Sequence, residues 1–172
     1  MVSNFLRKIL FKTNKLNAFI NKYKNVGKEV GLPSFAYINW GMKLLDEGNS
    51  KEALKKFETS VNMAYKNPEG YINIGVIKAK NNEFEEAVEC FRHAIRIDRM
   101  SAKAYSLLGS VYSEMNEFKK AKKAFEVSLK IDPRNSQTYI NKAVFLAKFD
   151  KKIEANEAFQ KACLYNPSNM QG

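Results

Sequence analysis

The sequence predicts an all-α fold, a solenoid of stacked helical hairpins preceded by a basic amphipathic helix. Three observations point there. Four residue columns recur every 34 residues with no insertion. The chain is rich in Lys, Glu, Ala, Leu and Ile and holds only four Pro and eight Gly, a bias toward helix over a turn-rich sheet. Its 172 residues are 45 % apolar, enough to bury a core.

The columns can be taken in order. Tyr37, Tyr71, Tyr105 and Tyr139 open the series. Gly41, Gly75 and Gly109 follow, with Ala143 in the fourth place. Ala53, Ala87, Ala121 and Ala155 come next, then Phe57, Phe91, Phe125 and Phe159. Small residues let two helices approach closely, and the Phe column is expected to plug the space between hairpins. The turn inside each hairpin falls at Gly48, Asn82, Asn116 and Asp150, residue types that tolerate a left-handed backbone. Asn67-Pro68, Asp98 to Ser101, Asp132-Pro133 and Asn166-Pro167 are stop and cap signals between hairpins. The predicted helix pairs are 34–47 with 50–65, 68–81 with 84–97, 102–115 with 118–131, and 136–149 with 152–165.

These columns resemble the tetratricopeptide repeat, whose pattern runs W-x2-L-G-x2-Y…A-x3-F…P. The stretch YSLLGSVYSEMNEFKKAKKAFEVSLKIDP (105–133) carries the resemblance most fully, with YINIGVIKAKNNEFEEAVECFRHAIRID (71–98) beside it. Repeats are assigned to 34–67, 68–101, 102–135 and 136–169, leaving a 170–172 tail. A constant spacing of 34 disfavours the related 35-residue pentatricopeptide family. The first and last repeats depart from the pattern: Trp40 precedes Gly41, Leu44 replaces an aromatic, and Lys142-Ala143 replaces an apolar-Gly pair. The resemblance implies a right-handed α-α superhelix in which the first helices line a concave groove. It implies an interaction scaffold for a protein or peptide partner, since one scaffold serves many partners.

By the family's pattern the groove positions include Ile38, Met42, Ile72, Val76, Ile140 and Val144, with Ser106 and Ser110 in the third repeat. An apolar stripe there suits an amphipathic helix laid in a groove; the same stripe also suits packing between helices. The sixth position is Asn39, Asn73, Leu107 and Asn141. An amide both donates and accepts, which suits an extended peptide backbone. The family's clamp for acidic C-terminal tails is matched only by Asn73 and Lys103, too few cations to neutralise a carboxylate.

Residues 5–23 read as a basic amphipathic helix. Phe5, Leu6, Ile9, Leu16, Phe19, Ile20 and Tyr23 share one face, flanked by Lys8, Lys12, Lys15 and Lys22. Four roles stay open for the 1–33 segment: a cap on the first hairpin, an anchor on an anionic membrane surface, docking into a groove with self-inhibition or homo-oligomers as the result, and a targeting presequence. At the other end, the seven residues after Tyr165 are too few for a solvating helix. The last hairpin is expected to expose an apolar edge including Cys163 and Leu164. Either the chain continues or that edge pairs with another molecule.

Net charge is +11, with 29 Lys and Arg against 18 acids. Only five of the cations are Arg, and the signs are interspersed after residue 33. Base and phosphate readout favours Arg forks, so nucleic acid is disfavoured as a partner. His93 stands alone, Cys90 and Cys163 form no CxxC, and no phosphate-binding glycine motif occurs. Neither a metal site nor a catalytic triad is expected, nor any cofactor. Glu83, Glu85, Glu86 and Glu89 suit a helix start and its macrodipole. A non-enzymatic, cytoplasmic protein, with the membrane surface as an alternative address, is the resulting expectation.

Overall fold

The computed structural model describes residues 33–166. The amphipathic helix expected over 5–23, with Phe5, Leu6, Lys8, Ile9, Lys12, Lys15, Leu16, Phe19 and Ile20, lies outside the described residues.

Eight α-helices and no strands are present among the described residues: α1 (Ser34–Asp46), α2 (Ser50–Met63), α3 (Pro68–Lys80), α4 (Phe84–Ile97), α5 (Ala102–Glu114), α6 (Phe118–Ile131), α7 (Ser136–Lys148) and α8 (Lys152–Leu164). They pair as antiparallel hairpins, α1 with α2 through α7 with α8. The chain divides into two compact units, one up to Tyr65 and one from Lys66 onward.

Each hairpin turn is three residues long, and its middle residue is left-handed: Gly48 at φ 78°, Asn82 at 63°, Asn116 at 60° and Asp150 at 57°. Most side chains pay about 1–2 kcal/mol there, whereas Gly, Asn and Asp visit the region routinely. The turn lets the residue after it donate back to the previous helix. Asn49, Glu83, Glu117 and Lys151 N–H reach the carbonyls of Leu44, Lys78, Tyr112 and Leu146 at 2.7–2.9 Å. That pattern satisfies helix-end carbonyls that would otherwise be orphaned. First helices of the later hairpins start on side-chain caps instead. Asn67 accepts from Glu69 N–H, Ser101 from Ala104 N–H and Asn135 from Thr138 N–H.

In the N-terminal unit, Phe57 is fully buried against Gly41. A Cβ on that glycine would stand 2.5 Å from the ring, so only glycine allows the contact. Trp40 stacks near Tyr37 with centroids 6.5 Å apart, and the Lys56 ammonium lies 3.9 Å over its ring.

In the C-terminal unit the same lock recurs. Phe91 sits on Gly75 and Phe125 on Gly109, where an added Cβ would meet the ring at 2.7 and 3.0 Å. The Phe column was expected to plug the space between hairpins; its first contact is instead with the glycine of its own hairpin. Phe125 does both, since its ring also lies 5.4 Å from that of Phe145 in the next hairpin. Phe118, Phe145 and Phe149 complete an aromatic cluster with centroids 5.0–5.4 Å apart. The fourth repeat breaks the column: Phe159 is 55 % exposed, and Ala155 is half-buried where Ala87 and Ala121 are fully buried.

Candidate interaction groove

The C-terminal unit lays its first helices α3, α5 and α7 side by side, α5 touching both neighbours. Polar side chains one repeat apart tie them together. The Lys103 ammonium meets Glu69 Oε1 at 2.7 Å, joining α5 to α3. Asn141 Nδ2 donates to Ser106 Oγ at 3.1 Å, and Lys148 Nζ donates to the Ser113 carbonyl at 2.8 Å while pairing with Glu114. Between α5 and α7 lies a cavity of about 300 Å³, lined by Lys103, Ser106, Leu107, Gln137 and Asn141 among others. Donors, acceptors and one apolar side chain therefore converge on a single hollow.

The predicted groove residues divide by register. The fifth position packs inward: Ile38 in the N-terminal unit is 6 % exposed, and Ile72 and Ser106 are 2 % and 4 % exposed. The expectation that Ile38 and Ile72 line the groove is corrected accordingly, because their side chains fill the core and offer no surface to a ligand. The ninth position stays accessible, half-buried at Val76 and exposed at Met42 and Val144; Ile140 is also exposed. Asn39 is exposed in the N-terminal unit. The amides differ in their bonding. Asn141 is committed on both ends, donating to Ser106 and accepting from Gln137 Nε2 at 3.1 Å. The Asn73 side-chain nitrogen is buried without a hydrogen-bond partner. Sequence reasoning placed Ser106 among the groove positions but missed Gln137, which does not follow the asparagine column that drew attention to the site.

A second hollow of about 400 Å³ lies between α6 and the α7–α8 hairpin, over Phe118 and Tyr139. Lys122, Lys142, Lys151 and Lys161 stand around it with Glu154 and Glu157. Lys142 occupies the register of Ile74 and Leu108, which are buried. A chain with a charged tip cannot fill that core position, and the space stays open.

Elsewhere the polar chemistry is structural. Lys78 and Glu83 form a hydrogen-bonded ion pair across the α3–α4 turn. The bond from Lys78, aided by Asn81, holds the Glu83 carboxyl below its ordinary value. Burial pushes the Cys90 thiol above its own. His93 stacks on Tyr71 with centroids 5.2 Å apart. Among the described residues no three His, Cys, Asp or Glu side chains group as metal ligands, and no helix is long and apolar enough to cross a membrane.

Two family models match the chain, one for the TPR repeat over residues 77–116 and one for the tetratricopeptide repeat over 102–135. With the 34-residue register and the glycine–phenylalanine lock of the first three hairpins, they define it: the chain carries tetratricopeptide repeats and is all-α and solenoid in class. Solved structures share the fold. A crystal structure of MamA is 24 % identical, covers 94 % of each chain and superposes with a TM-score of 0.72. A chain of the APC/C hetero-tetramer Cut9–Hcn1 is 19 % identical with a TM-score of 0.77, over 88 % of this chain and 29 % of that one. A thermophilic TPR protein of Thermus thermophilus is 14 % identical with a TM-score of 0.73, over 77 % of this chain and 74 % of its own. At such identities the likeness is one of fold. No curated protein sequence matches the chain.

Proposed function

We propose that the chain is a protein-interaction scaffold that holds a peptide segment of a partner along α3, α5 and α7. One observation carries this reading: the hollow between α5 and α7 brings Lys103, Ser106, Gln137 and Asn141 around Leu107. A peptide needs that mixture, amide and hydroxyl groups for its backbone and an apolar floor for a side chain. The unpartnered nitrogen of Asn73 supports it. A buried donor left without an acceptor costs about 1–3 kcal/mol, and a small side-chain rotation would offer it to a ligand carbonyl. Tetratricopeptide repeats as a class are scaffolds, which fits the absence of any catalytic constellation in the sequence pattern. Peptides selected from a random display library on the full chain provide the assay. Replacing both Asn73 and Asn141 by Ala should weaken the selected peptides about tenfold or more, at roughly 1 kcal/mol per lost hydrogen bond, with helical circular dichroism retained. Unchanged affinity would refute the groove reading.

A further inference from the structure

The junction of α4 with α5–α6 and the junction of α6 with α7–α8 are built on one register, so the first shows what the second would ordinarily hold. At the first junction Val88 and Leu108 are buried and Val127 is half-buried. One repeat later those positions are Lys122, Lys142 and Lys161. All three line the hollow of about 400 Å³ between α6 and α7–α8, one from each helix. Three separate exchanges of an apolar side chain for a cation thus converge on one space. Lys151 adds a fourth cation from the α7–α8 turn, where the earlier turn has Glu117. Glu154 and Glu157 run the other way, standing in place of Lys120 and Lys123.

The floor of the hollow is apolar. Phe145 and Leu146 are buried and Phe118 and Tyr139 half-buried, with the Phe118 and Phe145 rings 5.0 Å apart. The Lys161 ammonium lies 5.9 Å from the centre of the Tyr139 ring, which keeps one cation over this floor. Lys142 is half-buried and makes no hydrogen bond or ion pair among the described residues. A charge drawn partly out of water needs a partner to offset the lost hydration, and the chain supplies none. Lys122 reaches only the exposed Glu126, at 3.9 Å. Four ammonium groups against two carboxylates leave the wall positive by two. The exposed Ile140, Val144 and Phe159 of the same hairpin take no part in it.

These features select a ligand class. The floor calls for an apolar body, and the unpartnered Lys142 for a negative head. A surplus of two charges suits a single carboxylate, sulfonate or phosphate and not a polyphosphate. The volume is near the lower end of the roughly 300–1,000 Å³ usual for small-molecule cavities. A peptide backbone has less to hold than in the α5–α7 hollow, because no amide side chain and a single hydroxyl, that of Tyr139, line this space. We infer that the hollow between α6 and α7–α8 binds a small organic anion, its one- or two-ring apolar body on Phe118 and Tyr139 and its head on Lys142. The site shares no residue with the α5–α7 hollow, so either can fail without the other.

The test titrates the full 172-residue chain with naphthylacetate, its neutral counterpart naphthylacetamide, and acetate, reading amide chemical shifts by NMR. Naphthylacetate should give saturable shifts centred on Phe118, Tyr139, Lys142 and Ala158. It should bind about fivefold or more tighter than naphthylacetamide, since a charge-assisted hydrogen bond is roughly twice as strong as a neutral one. Acetate, without the apolar body, should not saturate over the same range. Lys142→Leu restores the residue type of the earlier junction and should abolish the shifts with circular dichroism unchanged. Lys142→Gln keeps much of the side chain and loses the charge; it should bring naphthylacetate down to the affinity of naphthylacetamide. A wild type without saturable shifts overturns the inference. So does equal affinity for the two naphthyl probes, which would mean an apolar crevice only, or for naphthylacetate and acetate. Naphthylacetate binding that survives Lys142→Leu, or shifts centred on the α5–α7 hollow, overturn it as well.

Discussion

Replacing Phe125 and Phe159 by Ala, one at a time, separates the worth of a residue from the worth of its surroundings. The two occupy one column of the repeat, yet Phe125 is fully buried and Phe159 is 55 % exposed. Removing the Phe125 ring empties the space between Gly109 and Phe145. A buried Phe→Ala change costs about 3–5 kcal/mol, transfer and cavity together. Phe159 has less than half its surface covered, and full burial of a Phe side chain is worth about 1.5–3 kcal/mol. Its loss should cost roughly 1 kcal/mol, with no enclosed cavity to add. Both residues lie in the same compact unit, so one urea titration followed by circular dichroism compares them directly. At slopes of about 1–3 kcal/mol/M the midpoints should differ by about 1 M or more. If Phe159→Ala lowers stability within ~0.5 kcal/mol of Phe125→Ala, a difference at the limit of such titrations, the argument from neighbour packing is wrong.

Two further outcomes follow from local geometry. Asn116→Ala places a Cβ without a local polar partner at φ 60° and should cost about 1 kcal/mol, whereas Asn116→Gly should be near neutral, as conformational relief offsets the freer unfolded chain; thermal melts of the pair decide, and an Ala variant as stable as the wild type contradicts the left-handed turn. The Glu83 carboxyl is held below its ordinary value by Lys78, so its contribution is present above the usual carboxylate range and is lost as pH falls through the depressed value. The stability gap between wild type and Glu83→Gln should therefore be widest near neutrality and close in acid, which denaturant midpoints across pH would show; a gap independent of pH would mean the ion pair adds nothing.

Much of the fold was legible because its determinants are local. Gly48, Asn82, Asn116 and Asp150 specify their turns through their own φ preferences, and Asn67, Ser101 and Asn135 cap helices two or three residues away. The glycine column could be read as a close approach, since a missing Cβ has few other uses in a helix. The groove was less legible. Ile72 and Val76 look alike in a stripe, and only the angle at which α3 meets its neighbours buries one and leaves the other partly open. Asn141 and Asn73 look alike in a column, yet one is fully bonded and the other is not, because Ser106 and Gln137 stand beside the first.

By itself, then, the order of residues determined the 34-residue hairpin, its turns and caps, and the family of the fold, because those depend on contacts within a few residues or within one hairpin. Tertiary structure alone decided which hydrophobic residues are core and which are surface. It buried Phe91 and Phe125, left Phe159 exposed on the same register, opened a hollow at Lys142, and joined Asn141 to Ser106 across 35 positions. The physical reason is that burial belongs to a pair of faces, and a repeat specifies only one of them.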